Sequence, residues 1–224
     1  MTPPLVVDID GTLSRADRSL DGRVLDALRD WDAPVVVATG KATPYPVGLC
    51  HFAGLPPRAV AENGGVALTE DSFHYVGDPD ATERVAAAFA ERGFDDGWTG
   101  ADYVNRWRET ELAVSHDAPR EELDALADEF DLDVVDTGFA YHVTDADVSK
   151  GAALECVAAD LGLEPADFLA VGDSENDVST FRVAGRAVAV ANADAAAREA
   201  ADETTEASYG AGFLEATAPW RASG

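Results

Sequence analysis

The chain has 224 residues, 46% of them hydrophobic and 26% charged, a composition that supports a substantial buried core. Its 43 acidic residues against 16 basic ones leave a net charge of −27, which repels nucleic acid and anionic membrane surfaces and argues against both as partners. No apolar run approaches the ~20 residues needed to span a bilayer, and the N-terminus lacks a basic start and a small-residue cleavage site. A cytoplasmic protein is therefore expected.

The acidic residues are scattered along the whole chain, so the charge belongs to the entire surface. Abundant Asp and Glu with only two lysines, Lys41 and Lys150, predicts a halophilic setting in which salt screens the self-repulsion. Instability at low ionic strength is the expected consequence. Cys50 and Cys156 match no disulfide framework and no metal-ligand spacing, and are expected as small core residues.

In chain order, "PPLVVD" (3–8) predicts a buried central strand that stops at an acid. Residues 19–31 place Val24, Leu25, Leu28 and Trp31 at helical spacing, with Ser19 or Asp21 as a cap. Pro34 then leads into "VVVATG", a second buried strand, and the strand–helix–strand order argues for a parallel sheet. The texture changes in the middle. Residues 81–92 and 119–130 read as amphipathic helices, separated by "ELAVSHD" (111–117) and followed by two strands around Asp136-Thr137-Gly138. This predicts a small α+β insert at roughly 78–147. The first grammar then returns: a helix at 151–163, a strand running into an acidic turn at 168–177, a strand at 187–193 and a terminal helix at 193–205.

Four polar segments fall at or beside the ends of these buried elements: "DIDGT" (8–12), "TGK" (39–41), "SKG" (149–151) and "GDSEND" (172–177). In an open parallel sheet the carboxyl ends of the strands converge on one crevice, which would bring the four together. Asp8 and Asp10 lie two apart on extended backbone and point the same way. Converging carboxylates call for a cation or a shared proton. Asp173 and Asp177 add oxygen donors, and with no His or Cys cluster nearby the hard donor set favours Mg²⁺. Lys150 opens a helix where its ammonium can sit as a compact charge beside phosphate and the Asp8 carboxylate. In a chain with 14 arginines, a position on the surface would more readily carry arginine.

The four segments in this order resemble the motifs of the haloacid dehalogenase superfamily of phosphohydrolases. The resemblance implies a Rossmann-like α/β core (1–77 and 148–224) carrying a smaller C2-type cap (78–147). "ENGG" (62–65) is similar to a segment of the sugar-phosphatase branch with that cap, and length together with "DVSKG", "GDSEND" and "ANAD" resembles the archaeal phosphoglycolate phosphatase group. Implied roles follow residue by residue. Asp8 attacks phosphorus to form an aspartyl-phosphate, and Asp10 serves as general acid and then base. Mg²⁺ is held by Asp8, the Asp10 backbone carbonyl and Asp173, with Asp177 binding the metal or its water. Thr39 and Gly40 hydrogen-bond the phosphoryl oxygens, Lys150 neutralises charge, Asn176 fixes the last loop or contacts phosphate, and Thr12 orients the first loop.

The implied reaction is hydrolysis of a small phosphorylated metabolite, 2-phosphoglycolate first, by a monomer or homodimer. A sugar-phosphate phosphatase related to sucrose-phosphate phosphatase, or a phosphosugar mutase or phosphotransferase, is the alternative. Lys41 is left open between substrate and solvent. His51, His74, His116 and His142 share no spacing and are expected to be structural or surface groups. Trp98 and Trp107 are expected to pack within the cap, with Arg106 or Arg108 reaching a carboxylate or sugar hydroxyl of the substrate.

Overall fold

The computed structural model describes residues 1–221; the last three positions of the expected core range, 148–224, lie outside it. The first strand, β1 (Leu5–Asp8), lies at the centre of an eight-stranded sheet. On one side it pairs with β2 (Val35–Ala38), followed by β3 (Ala59–Ala61), β4 (Val66–Leu68) and β5 (Phe73–Tyr75). On the other lie β9 (Leu169–Gly172), β10 (Arg186–Ala189) and the two-residue edge strand β11 (Glu203–Thr204). The pairs from β11 through to β3 are parallel, as the β–α–β grammar predicts, whereas β3–β4 and β4–β5 are antiparallel. Short connections at 62–65 and 69–72 leave no room for a crossover helix, so the chain can only turn back on itself there.

Strand β1 is apolar throughout because it is buried on both faces. Leu5 and Val7 join Val24, Leu28, Trp31 and Phe213 on one side, while Val6 joins Leu154, Val157, Phe168 and Phe181 on the other. The first layer is covered by α1 (Gly22–Arg29), with α2 (Pro44–Ala53) beside it, and by α8 (Tyr209–Thr217). The second is covered by α5 (Lys150–Asp160), α6 (Val178–Val183) and α7 (Ala195–Ala200). Cys50 is buried and Cys156 packs half-buried against the core.

A separate three-stranded antiparallel sheet, in the order β6 (Leu112–Val114), β8 (Tyr141–Thr144), β7 (Asp133–Asp136), carries α3 (Pro79–Glu91) and α4 (Arg120–Glu129). Val85, Phe89, Leu123, Leu126 and Val143 form its own apolar cluster. The fold is thus a Rossmann-like α/β core with a smaller α+β cap.

Two helices depart from the sequence reading. Helix α1 begins at Gly22, where the Asp21 side chain accepts the Arg23 N–H, and stops at Arg29. Trp31 lies past its end, buried, with Nε1 donating to the Pro3 carbonyl at 2.9 Å. The terminal helix expected at 193–205 is only six residues long. Ala201 turns extended so that Asp202 and Thr205 can donate to the β10 edge, and α8 follows. Gly210 and Gly212 obscure α8 in the sequence, yet side chains at those positions would collide with Asp21 and with the Ala207 carbonyl.

Candidate active site

The strand order reverses at β1, so the ends of β1, β2 and β9 open onto one crevice beneath the smaller sheet. Asp8 is the last residue of β1 and only 5% exposed. The chain then makes one wide turn, Ile9–Leu13, interrupted by Asp10 and by Gly11 at φ +83°. Any larger residue at Gly11 would be strained there and would also place its Cβ on the Asp173 carboxylate. Thr12 Oγ1 donates to Asp173 Oδ1 at 3.3 Å, tying the first motif to the last.

Lys150 is the first residue of α5, behind its cap Ser149, and its side chain is fully buried. Its ammonium donates to Asp8 Oδ1 at 2.8 Å, Asp177 Oδ1 at 2.7 Å and Asn176 Oδ1 at 3.0 Å. Burial opposes the charge, but the Asp177 and Asp8 carboxylates outweigh it and hold the lysine above its ordinary range. The other Asp177 oxygen accepts the backbone N–H groups of Asp173 and Ser174, so this carboxylate braces the loop from both ends.

One ammonium cannot balance three acids. Carboxylate oxygens of Asp8, Asp173 and Asp177 lie within 4.8 Å of one another, and Asp8 Oδ2 is buried without a hydrogen-bond partner. Burial, then the charges of Asp177 and Asp173, push Asp8 well up despite Lys150. Burial and Asp177 push Asp173 up to about 7. A hard divalent cation would relieve this crowding and engage the orphan oxygen, so the residues present fit Mg²⁺. The Asp10 carboxylate lies outside the cluster.

Asp10 faces the cavity instead and receives Lys41 Nζ at 2.5 Å, both side chains being partly exposed. Lys41 therefore lines the cavity while its side chain stays 39% exposed. Both lysines of the chain thus contact the aspartates of "DID". Thr39 is buried at the end of β2, its Oγ1 accepting the Lys41 N–H at 3.1 Å, which leaves the hydroxyl proton free to donate. At Gly40 a Cβ would meet Asn63 Oδ1 at 2.6 Å, so glycine keeps this turn open.

Residues that sequence reasoning did not assign to the site complete it. Glu62 and Asn63 occupy left-handed backbone, φ +52° and +54°, a strained pair for residues other than glycine. The following Gly64, at φ +113°, allows this loop to rest on the Ser149 backbone at the start of α5. Asn63 consequently bridges the two sheets. Its Oδ1 accepts Asn176 Nδ2 at 3.1 Å, and its Nδ2 donates to Glu111 Oε2 at 2.9 Å. Glu62 accepts the N–H groups of Glu109 and Thr110.

Buried Glu111 also pairs with Arg108 and accepts His142 Nδ1 at 3.0 Å. Burial, then the neighbouring guanidinium, push His142 down to about 3, so it is neutral and donates through Nδ1–H. Burial pushes Arg108 down to about 10, still a cation at neutral pH. Asn192 donates to the Gly11 carbonyl and secures the first loop. The available signals were "ENGG" and "ANAD", but neither specifies a partner.

A cavity of about 440 Å³ opens above Asp8, lined among others by Asp10, Lys41, Tyr45, Tyr103, Arg108 and Phe139. Arg106 is exposed and does not line it. Trp98 stacks on Phe139 within the cap, as expected, whereas Trp107 meets Tyr45 of the core edge-on at 6.3 Å. His74 and His116 pair with Asp160 and Asp136 at exposed positions, and His51 is exposed.

A family profile described as haloacid dehalogenase-like hydrolase matches residues 111–216. A protein of Halobacterium salinarum named phosphoglycolate phosphatase is 60% identical over 96% of this chain and 95% of the relative. Proteins of the same name from Haloarcula marismortui and Archaeoglobus fulgidus are 56% and 38% identical, over 98% and 95% of this chain and 98% and 94% of theirs. A crystal structure from Thermoplasma acidophilum superimposes with a TM-score of 0.82 at 22% identity, covering 98% of both chains, and so shares the fold. The chain belongs to the haloacid dehalogenase-like hydrolase family. Its aspartate cluster is the metal-dependent centre of a phosphomonoester hydrolase that uses Mg²⁺.

Proposed function

We propose that the protein hydrolyses 2-phosphoglycolate to glycolate and phosphate. The observation that carries this reading is the buried Asp8–Lys150–Asp177 cluster at the cavity floor, in a chain 60% identical to a phosphoglycolate phosphatase. Asp8 attacks phosphorus in line and becomes an aspartyl-phosphate, dividing one difficult displacement into two. Asp10 gives its proton to the departing alkoxide and takes one from the water that cleaves the intermediate. Thr39 and the Gly40 amide hold phosphoryl oxygens, Lys150 offsets their charge beside the nucleophile, and Asn176 fixes the ammonium. Asp8, Asp173 and the Asp10 carbonyl would hold Mg²⁺, with Asp177 steadying the loop. When bound, the ion neutralises charge on the transferring phosphoryl group.

Residues 78–147 act as the cap, closing over the crevice and excluding bulk water. The acidic surface suits a monomer or homodimer working in a salt-rich cytoplasm, without nucleic-acid partners. The cavity volume and its aromatic wall of Tyr45, Tyr103 and Phe139 favour a sugar phosphate as the second reading.

Phosphate release from a panel of esters, assayed with Mg²⁺ at molar salt, tests both. 2-Phosphoglycolate is expected to give the highest kcat/KM, and Asp8→Asn to abolish release. A sugar phosphate turned over faster, or phosphate passed from labelled substrate to a sugar acceptor, would overturn the first reading.

A further inference from the structure

Arg108 lies between α3 and β6 with its side chain 6% exposed. Nε donates to the Val104 carbonyl at 2.8 Å, and Nη1 donates to the Gly40 carbonyl at 3.0 Å and pairs with Glu111. Among the described residues Nη2 has no hydrogen-bond partner, although Arg108 lines the cavity above Asp8. The guanidinium thus keeps its Nη2 donors open on a side chain that lines the cavity and is otherwise held by protein acceptors. The free edge points to a ligand that supplies the missing acceptors.

We propose that Arg108 selects a carboxylate on the substrate, with Glu111 as the positioning residue that holds the guanidinium over the cavity. The proposal rests on the 2-phosphoglycolate reading and names the residue that reads its acid end. The phosphoryl end is accounted for by Asp8 and Lys150 at the cavity floor. At the other end, the free Nη2 of a buried cation favours an anionic carboxylate over a neutral hydroxyl.

The charge distribution agrees. Arg15, Arg18, Lys41 and Arg108 place four of the chain's 16 basic residues around one cavity, in a protein of net charge −27. Glu111 balances Arg108 while the cavity is empty. Its oxygen Oε2 is fixed in turn by Asn63 and His142, so the pair cannot swing away from the site.

The test compares 2-phosphoglycolate with ethyl phosphate, which keeps the ester and replaces the carboxylate by a methyl group. In Arg108→Gln the ratio of the two kcat/KM values is expected to fall about 100-fold. Arg108→Lys, which keeps the buried charge but cannot hold the Val104 and Gly40 carbonyls while reaching the ligand, should recover less than a tenth of that ratio. Glu111→Gln should lower it about 10-fold, chiefly through KM for 2-phosphoglycolate. Circular dichroism and thermal unfolding monitor folding, and if Arg108→Gln does not fold, Arg108→Lys carries the test. A ratio unchanged within about threefold in the folded variant, with both substrates losing activity together, would overturn the proposal and leave Arg108 as a strut between cap and core. A wild-type ratio near one would instead sink the 2-phosphoglycolate reading itself.

Discussion

The protein pairs each of its two lysines with an aspartate of the same turn, and the two pairs sit in opposite surroundings. Lys150 and Asp8 are buried, with side chains 0% and 5% exposed, whereas Lys41 and Asp10 are 39% and 47% exposed. In the buried pair neither partner has water to fall back on. Its geometry is fixed by Asp177, Asn176 and the cap of α5. Such an arrangement suits a nucleophile that must meet phosphorus from one direction. The exposed pair is weakened by solvent and salt, so its contact can open, as the acid–base role proposed for Asp10 requires. The same charge pairing is thus fixed by its surroundings in one place and open to solvent in the other.

The largest effect that would break this contrast comes from Lys150. Replacing it with methionine leaves Asp8 and Asp177 without their cation, with an expected cost of about 3–5 kcal/mol in stability and loss of turnover. Lys150→Arg should fold but lose at least about 100-fold in kcat, because a forked guanidinium does not fit a pocket shaped for a point charge. Denaturant unfolding and phosphate release check both. A near-native rate for Lys150→Arg would reduce the buried pair to simple charge balance.

The corresponding change on the exposed side should be smaller. Lys41→Met is expected to shift stability by no more than about 1 kcal/mol and to lower kcat about 10-fold. A loss equal to that of Lys150→Met would erase the distinction between the two pairs.

A finer effect concerns the core–cap junction. His142 sits far below its ordinary 6.5, at about 3, so the unfolded chain takes up a proton that the folded chain refuses. Its contribution to stability is complete above pH 6.5 and is lost as pH falls from 6.5 towards 3. Asp173, raised to about 7, works in the opposite sense, and saturating Mg²⁺ removes that term by keeping it ionised. Under those conditions the melting temperature should fall more steeply between pH 7 and 4 in the wild type than in His142→Asn. Parallel curves would show that the junction does not depend on a neutral histidine.

The buried pair was far easier to read from the sequence than the junction. "DIDGT", "SKG" and "GDSEND" carry their chemistry within a few residues, and each adjoins an apolar run that announces a buried element. Lysine at position 150, in a chain that otherwise uses arginine, singled itself out. The bridge of Asn63, Glu111, Arg108 and His142 joins residues up to 79 positions apart and exists only because one loop takes up left-handed backbone over the start of α5. No local pattern states that Glu111 is buried, and His142 was read as one of four scattered histidines. The antiparallel turn back at β4 and β5 and the glycine-bearing α8 were hidden for a related reason. Both depend on what the backbone approaches, which residue type alone does not reveal.

The central claim, that Asp8 takes up the phosphoryl group beside Lys150, is tested most directly by rapid acid quench during turnover of phosphorus-labelled 2-phosphoglycolate with Mg²⁺ at molar salt, followed by peptide mapping. Label is expected on the peptide containing Asp8 in the wild type and none in Asp8→Asn. Label on a different residue, or continued turnover by Asp8→Asn, would contradict it.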